Sequence, residues 1–133
     1  MLTTTSEIVV AVEPKPAPRP RAAVISGHAV IFNPKEYKDH CEAIAKALPP
    51  APTTPVMGEL VMAIEFVCKP IGKSKFTTPA GDLDNFAKPL MDVLTKQGWY
   101  GDDRQVVVLS LSKRFPDADE QPHIRFQITE SPT

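Results

Sequence analysis

The chain has 133 residues, 15 Lys and Arg against 16 Asp and Glu, and a formal net charge of −1. That length suits one domain with a usable but modest core, and near neutrality argues against a partner held by overall positive charge, so nucleic acid would have to be met by local basic patches. No apolar run approaches the roughly 20 residues that cross a bilayer, Met1–Glu7 lacks the basic and apolar regions of a signal peptide, and isolated Cys41 and Cys68 with scattered His28, His40 and His123 offer no zinc spacing; free thiols in a reducing cytoplasm are expected.

Ile8 to Val12 is a short apolar run that reads as a strand. The chain has 15 prolines, which cluster in part at 14–20 and 49–55. The first cluster predicts an extended Pro/Arg-rich arm at about 13–23, the second a linker. Ala29 to Phe32 reads as a second short strand. Pro34 suits a helix start, with Tyr37, Cys41, Ile44, Ala45 and Leu48 as the apolar stripe and Pro49-Pro50 as the stop. Glu59 to Cys68 alternates, placing Leu60, Met62, Ile64, Phe66 and Cys68 on one face of a strand. Residues 69 to 81 form a basic loop. A helix over about 83–97 turns Leu83, Phe86, Leu90 and Leu94 inward and stops near Gly98. Pro89 lies inside it, which predicts a kink or a later start. Val106 to Arg114 and His123 to Thr129 are two further strands, expected to pair antiparallel across Pro116–Asp119. The order predicts one α+β domain over 1–133, with a mixed β-sheet packed against two main helices.

The chemistry concentrates between residues 82 and 103. Asp82, Asp84, Asp92, Asp102 and Asp103 place five carboxylates near Lys88. Carboxylates repel unless a cation sits between them, and Mg2+ is held by one or two carboxylates with water or phosphate in its other positions. Such a group beside a lysine suits metal-assisted attack on a phosphodiester. Asp82 and Asp84 flank the helix start, where acids suit the helix dipole. Asp84, Lys88 and Asp92 step by four along one face. Asp102-Asp103 precede a strand. A helix start and a strand start are therefore expected to bring Asp82, Asp84 and Asp103 around one ion. Taken singly, each acid also has a plainer role as a helix cap, a surface pair or a turn residue.

The ordered segment Asp82-Leu83-Asp84-Asn85-x-x-Lys88-x-x-x-Asp92-x-Leu94, then Gly98-Trp99-Tyr100-x-Asp102-Asp103-x-Gln105-Val106, closely resembles the RusA family of Holliday-junction resolvases, many of them phage- or prophage-encoded. Pro16-Ala17-Pro18-Arg19-Pro20-Arg21 resembles the Arg-Pro-Arg element near the N-terminus of phage-type members. The resemblance implies a RusA-like fold and a homodimeric, Mg2+-dependent endonuclease, with Mn2+ able to substitute. It would cut four-way DNA junctions in recombination and repair, leaving 5′-phosphate and 3′-hydroxyl ends. Carried over, Asp82, Asp84 and Asp103 are the metal ligands and Lys88 the catalytic lysine. Asp92, Asp102 and Asn85 are expected to stand behind them. A bacterial cytoplasm is the implied location.

Arg19, Arg21, Lys69, Lys73 and Lys75 are the candidate phosphate contacts. Phe76, Trp99 and Tyr100 read first as packing residues. The dimer surface is expected to include the strand around Leu60 to Cys68. Two other readings compete: a branched-DNA-binding protein without catalysis, and a metal-dependent phosphatase of another fold. Against the phosphatase, the Asp-x-Asp pair follows Thr77-Thr78-Pro79-Ala80-Gly81, which is no strand.

Overall fold

The computed structural model describes residues 7–17, 21–25, 27–32, 35–70 and 77–130, with backbone alone at 21–25 and 28–32. The elements are β1 (Ile8–Val10), β2 (Arg21–Ile25), β3 (His28–Phe32), α1 (Lys35–Ala47), β4 (Leu60–Val67), α2 (Leu83–Lys96), β5 (Val106–Arg114) and β6 (His123–Glu130). β1, β6, β4 and β5 form a mixed four-stranded sheet in that order, and β2 with β3 forms a separate hairpin. The arrangement is the expected α+β one.

Alternation builds the core. Leu60, Met62, Ile64 and Phe66 of β4 and Ile124, Phe126 and Ile128 of β6 point to one face and are buried. Phe86, Leu90, Val93 and Leu94 of α2 cover them, joined by Ile44 of α1 and Leu48 just after it. The helical stripe at i, i+3 or i+4 thus meets a period-two strand face. Trp99 and Tyr100 are buried, and the Trp99 ring meets Phe126 edge-on at 5.7 Å between centroids. Both residues lock the turn after α2, since Trp99 O accepts from Val56 N at 3.0 Å.

Three expectations are corrected. β5 and β6 do not pair with each other, because β4 lies between them, parallel to β5 and antiparallel to β6. β4 therefore has no free edge on which a second copy could add a strand. The distal part of the Pro/Arg segment is not an extended arm: Arg21 opens β2, paired antiparallel from Arg21↔Phe32 to Ile25↔His28. Gly27, at φ +78, supplies the left-handed residue of that hairpin turn. Ser26-Gly27 between two apolar runs was the hairpin signal, masked by the prolines before it.

α2 runs unbroken through Pro89, which is buried. Proline has no N–H, so the carbonyl four residues earlier, that of Asn85, loses its helical partner. Ala17 N takes it at 2.8 Å. The proline thus opens a docking point on α2 for the proximal arm. Pro14 is buried against the body, and an added Cβ on Gly81 would lie 3.5 Å from Pro16 Cγ.

An ion-pair cluster closes the other end of the sheet. Arg114 pairs with Glu65 at 3.3 Å and Glu120 at 2.8 Å, while Glu120 also accepts from Asp117 N at 2.8 Å. Arg114 holds the Glu120 carboxyl down to about 2, with the Asp117 N–H adding to the effect. No helix among the described residues is long and apolar enough to cross a membrane.

Candidate active site

At the N-terminal end of α2, Asp82 occupies the cap position in an extended conformation, φ −88 and ψ 142, yet its side chain caps nothing. Asp84 lies in the first turn. Both are exposed, and neither carboxylate has a hydrogen-bond or ion-pair partner among the described residues. The turn that delivers them is held from three sides. Gly81 has φ +97, a conformation that favours glycine, and a Cβ there would press to 3.1 Å from the Phe86 ring. Phe86 itself stacks on Phe66 at 5.5 Å. Lys113, near the end of β5, donates from Nζ to Gly81 O at 2.7 Å.

One turn along, Lys88 Nζ lies 3.1 Å from Asp92 Oδ2, and the Tyr37 hydroxyl of α1 donates to that same oxygen. The Lys88 ammonium also stands 5.5 Å from the Tyr37 ring centroid. Burial pushes the Tyr37 hydroxyl well above its usual range, and the bond to Asp92 adds to this, so Tyr37 stays a proton donor. The Lys88–Asp92 pair is about half exposed and contributes at most ~1 kcal/mol. Its importance is in where it holds the ammonium.

Asp103 lies at the other end of α2. Thr95 Oγ1 is 2.7 Å and Tyr100 Oη 3.1 Å from Asp103 Oδ1. Burial, followed by the Asp103 contacts, keeps the Tyr100 hydroxyl protonated far above its usual range, despite an opposing contribution from Thr95. Asp102 has a separate task. It caps the short 3-10 turn Asp103–Gln105, accepting from Arg104 N at 2.8 Å, while Gln105 Oε1 accepts from Asp102 N at 2.9 Å. Gln105 Nε2 then donates to Gly58 O at 2.9 Å, tying the turn to the chain before β4. A groove of about 700 Å3 between α1 and α2 joins Asp92 to Asp103 past Tyr37, Cys41 and Thr95.

The structure therefore divides the expected cluster. Asp84 and Thr95 are eleven residues apart on one helix, about 16 Å at 1.5 Å per residue. Asp103, fixed to Thr95, is as far from Asp84. Among the described residues no group of three or more His, Cys, Asp or Glu side chains could hold a metal ion. The expectation that one chain brings Asp82, Asp84 and Asp103 around one ion is corrected: the helix start and the strand start lie at opposite ends of α2. Asn85 contributes its backbone carbonyl to the arm. Lys69 is exposed at the exit of β4. Arg19, Lys73, Lys75 and Phe76 lie outside the described residues, and Arg21 is described by its backbone in β2.

Sequence reasoning missed Tyr37, Thr95 and Lys113. Thr95 was legible, three positions after Asp92 on the same helix. Tyr37 and Lys113 are brought in by tertiary packing, without a local signal. Asp82 and Asp84 fit Mg2+ chemically: two exposed hard oxygen donors without partners among the described residues match an ion that takes one or two carboxylates and completes its shell with water and phosphate.

A family model described as Endodeoxyribonuclease RusA matches residues 11–129. No curated protein matches the chain.

Proposed function

This chain belongs to the RusA endodeoxyribonuclease family, and from that premise we propose that it is a Mg2+-dependent nuclease that resolves four-way DNA junctions as a homodimer. The observation that carries the reading is the pair of exposed carboxylates at Asp82 and Asp84, without a partner among the described residues, with Lys88 one helical turn away. Among the described residues nothing pairs with those two acids, and their turn is nonetheless braced by Gly81, Phe86 and Lys113.

Asp82 and Asp84 would hold the ion. When bound, Mg2+ supplies Lewis-acid polarisation of the scissile phosphate and lowers the pKa of a coordinated water. Lys88 stabilises negative charge as it develops on the phosphate oxygens. Asp92 and Tyr37 keep that ammonium on the helix face that carries Asp84, within reach of a phosphate that displaces the Asp92 contact. Asp103, oriented by Thr95 and Tyr100 at the other end of α2, would supply the third carboxylate of the family pattern from the second copy of the homodimer. Asp102 fixes the turn and takes no part in the chemistry.

Junction selectivity comes from shape. Two symmetric sites in a dimer meet two symmetric strands of a four-way junction, and no base-reading element is needed. Arg19, Arg21, Lys69, Lys73 and Lys75 are the phosphate contacts, which suits a chain whose net charge is −1. A cytoplasmic, phage- or prophage-derived role in recombination and repair goes with this reading, as does replacement of Mg2+ by Mn2+.

End-labelled four-way junctions incubated with and without Mg2+ test the proposal. The expected result is paired, symmetric incision only with the metal. Binding without incision in either Mg2+ or Mn2+ would leave a non-catalytic branched-DNA-binding protein.

A further inference from the structure

We infer that Lys113 is a further substrate-binding residue of the Asp82/Asp84 site, and that its ammonium holds the phosphate next to the scissile one in the cut strand. The inference rests on the nuclease reading for the identity of that strand, and on the sheet face for its geometry.

Lys113 stands where the strand pattern asks for an apolar residue. In the parallel register of β4 and β5, Met62, Ile64 and Phe66 lie beside Leu109, Leu111 and Lys113. Met62, Ile64 and Phe66 are buried under α2, and Leu111 packs against the same core. Residues two apart on a strand share a face, so Lys113 follows Leu111 onto the helix-covered side. It is half-buried there. A lysine tolerates such a place by running its stem along apolar surface and bringing its head out to water.

The head comes out at the turn that carries the acids. Lys113 Nζ donates to Gly81 O at 2.7 Å, one residue before Asp82. Among the described residues no acid forms an ion pair with Lys113, and neither Asp82 nor Asp84 takes a cation. An ammonium has three N–H donors, and the carbonyl accepts one. Among the described residues nothing accepts the other two. Bracing the turn asks for no charge. A neutral donor serves a carbonyl equally well, without the cost of bringing an ammonium to the inner face of a sheet.

Order along the turn selects the phosphate. Lys113 meets it at Gly81, and Lys88 follows four residues after Asp84, so two ammoniums bracket two acids. An ion on Asp82 and Asp84 would take the scissile phosphate, and Lys88 its developing charge. Lys113, at the other end of the bracket, meets the adjoining phosphate. Lysine is a compact point charge that binds phosphate without reading bases, which suits a strand of any sequence.

Junction binding without Mg2+, on variants shown by thermal melts to be folded, tests the assignment. Lys113→Met keeps the stem and removes the charge. Lys113→Gln, which keeps a neutral donor for Gly81 O, is the second uncharged variant, and Lys113→Arg retains the charge. Both uncharged variants are expected to lower the slope of log affinity against log salt by about one unit. Affinity should fall roughly ten-fold, the scale of one hydrogen bond to a charged group. Lys113→Arg should keep the slope. Junctions carrying a single uncharged methylphosphonate, moved through the phosphates near the crossover, then locate the contact. Wild type should lose about ten-fold at one position beside the incision mapped in Mg2+, and the uncharged variants should be indifferent there. A residue that only holds Gly81 leaves the slope and every phosphate sensitivity unchanged in Lys113→Gln, and that result overturns the inference. A lost contact remote from the incision overturns it as well. Wild type that binds junctions and never cuts them contradicts the nuclease reading, while slope and sensitivity still decide the Lys113 contact.

Discussion

The Thr95 hydroxyl lies 2.7 Å from the Asp103 carboxylate, which pins the acid to the last turns of α2. Asp84, in the first turn of the same helix, is about 16 Å away at helical rise. One element thus carries both halves of the acidic set and holds them apart. Tyr100, whose ring is buried, adds a second hydroxyl at 3.1 Å.

Tyr100→Phe keeps the ring in the core and removes the hydroxyl beside Asp103. Stability should fall by about 1 kcal/mol, the usual net value of one hydrogen bond. Junction cleavage should slow roughly ten-fold, equivalent to about 1.4 kcal/mol of lost transition-state stabilisation. Thermal melts and single-turnover rates on one preparation separate the two. An unchanged rate would show that the orientation of Asp103 is immaterial.

Asp102 and Asp103 should separate cleanly. Asp102 caps the 3-10 turn. Asp102→Asn retains a capping side chain, so its rate should stay within a few-fold of wild type. Asp103→Asn should lose at least a hundred-fold, on the order expected for one charged catalytic contact. The reverse order in parallel assays would exchange their roles.

Pro89 gives a prediction about the arm. Pro89→Ala supplies an N–H that can bond Asn85 O inside α2, in competition with Ala17 N. The Ala17 amide should then exchange about five-fold faster, for a lost bond of ~1 kcal/mol. Hydrogen exchange resolved at Ala17 checks this. Unchanged protection would mean that the arm is held elsewhere, as by buried Pro14.

Glu120 sets an acid limit. Its folded pKa is depressed from 4.5 to about 2 by Arg114. A depressed carboxyl contributes stability that is present above the unfolded pKa and is lost as pH falls through the folded one. The contribution should be full above about 4.5 and gone near 2, so the drop in Tm across that window should be shallower in Glu120→Gln than in wild type. Parallel slopes would remove Glu120 from the account.

Much of this was legible in sequence. β4 and α2 were set by strong periodicities of two and 3.6, and α2 closed within one residue of expectation. β2 was not, because the Pro/Arg run before it dominated the local reading. The pairing of β5 was not, because a parallel neighbour is decided by the whole sheet and by no turn signal. The acids stood out in the sequence as a cluster, but their separation follows from helix length and from the Thr95 and Tyr100 contacts, which motif spacing does not convey. Lys113 meets Gly81 across 32 positions, a contact invisible to any local window.

The basic residues have their own signature. If Arg19 and Arg21 contact phosphates, Arg19→Ala/Arg21→Ala should weaken binding to junctions of any sequence and lower the slope of log affinity against log salt by about two, one for each contact. A salt titration with the same slope and affinity as wild type would remove the arm from the DNA surface.

The most direct test of the nuclease assignment pairs cleavage with binding for Asp84→Asn. Asp84 is exposed and without a partner among the described residues, so the substitution should leave the fold unchanged. The account predicts no junction incision in Mg2+, with junction affinity equal to or above wild type, because a negative charge near DNA has been removed. Wild-type incision by Asp84→Asn in Mg2+ would contradict it.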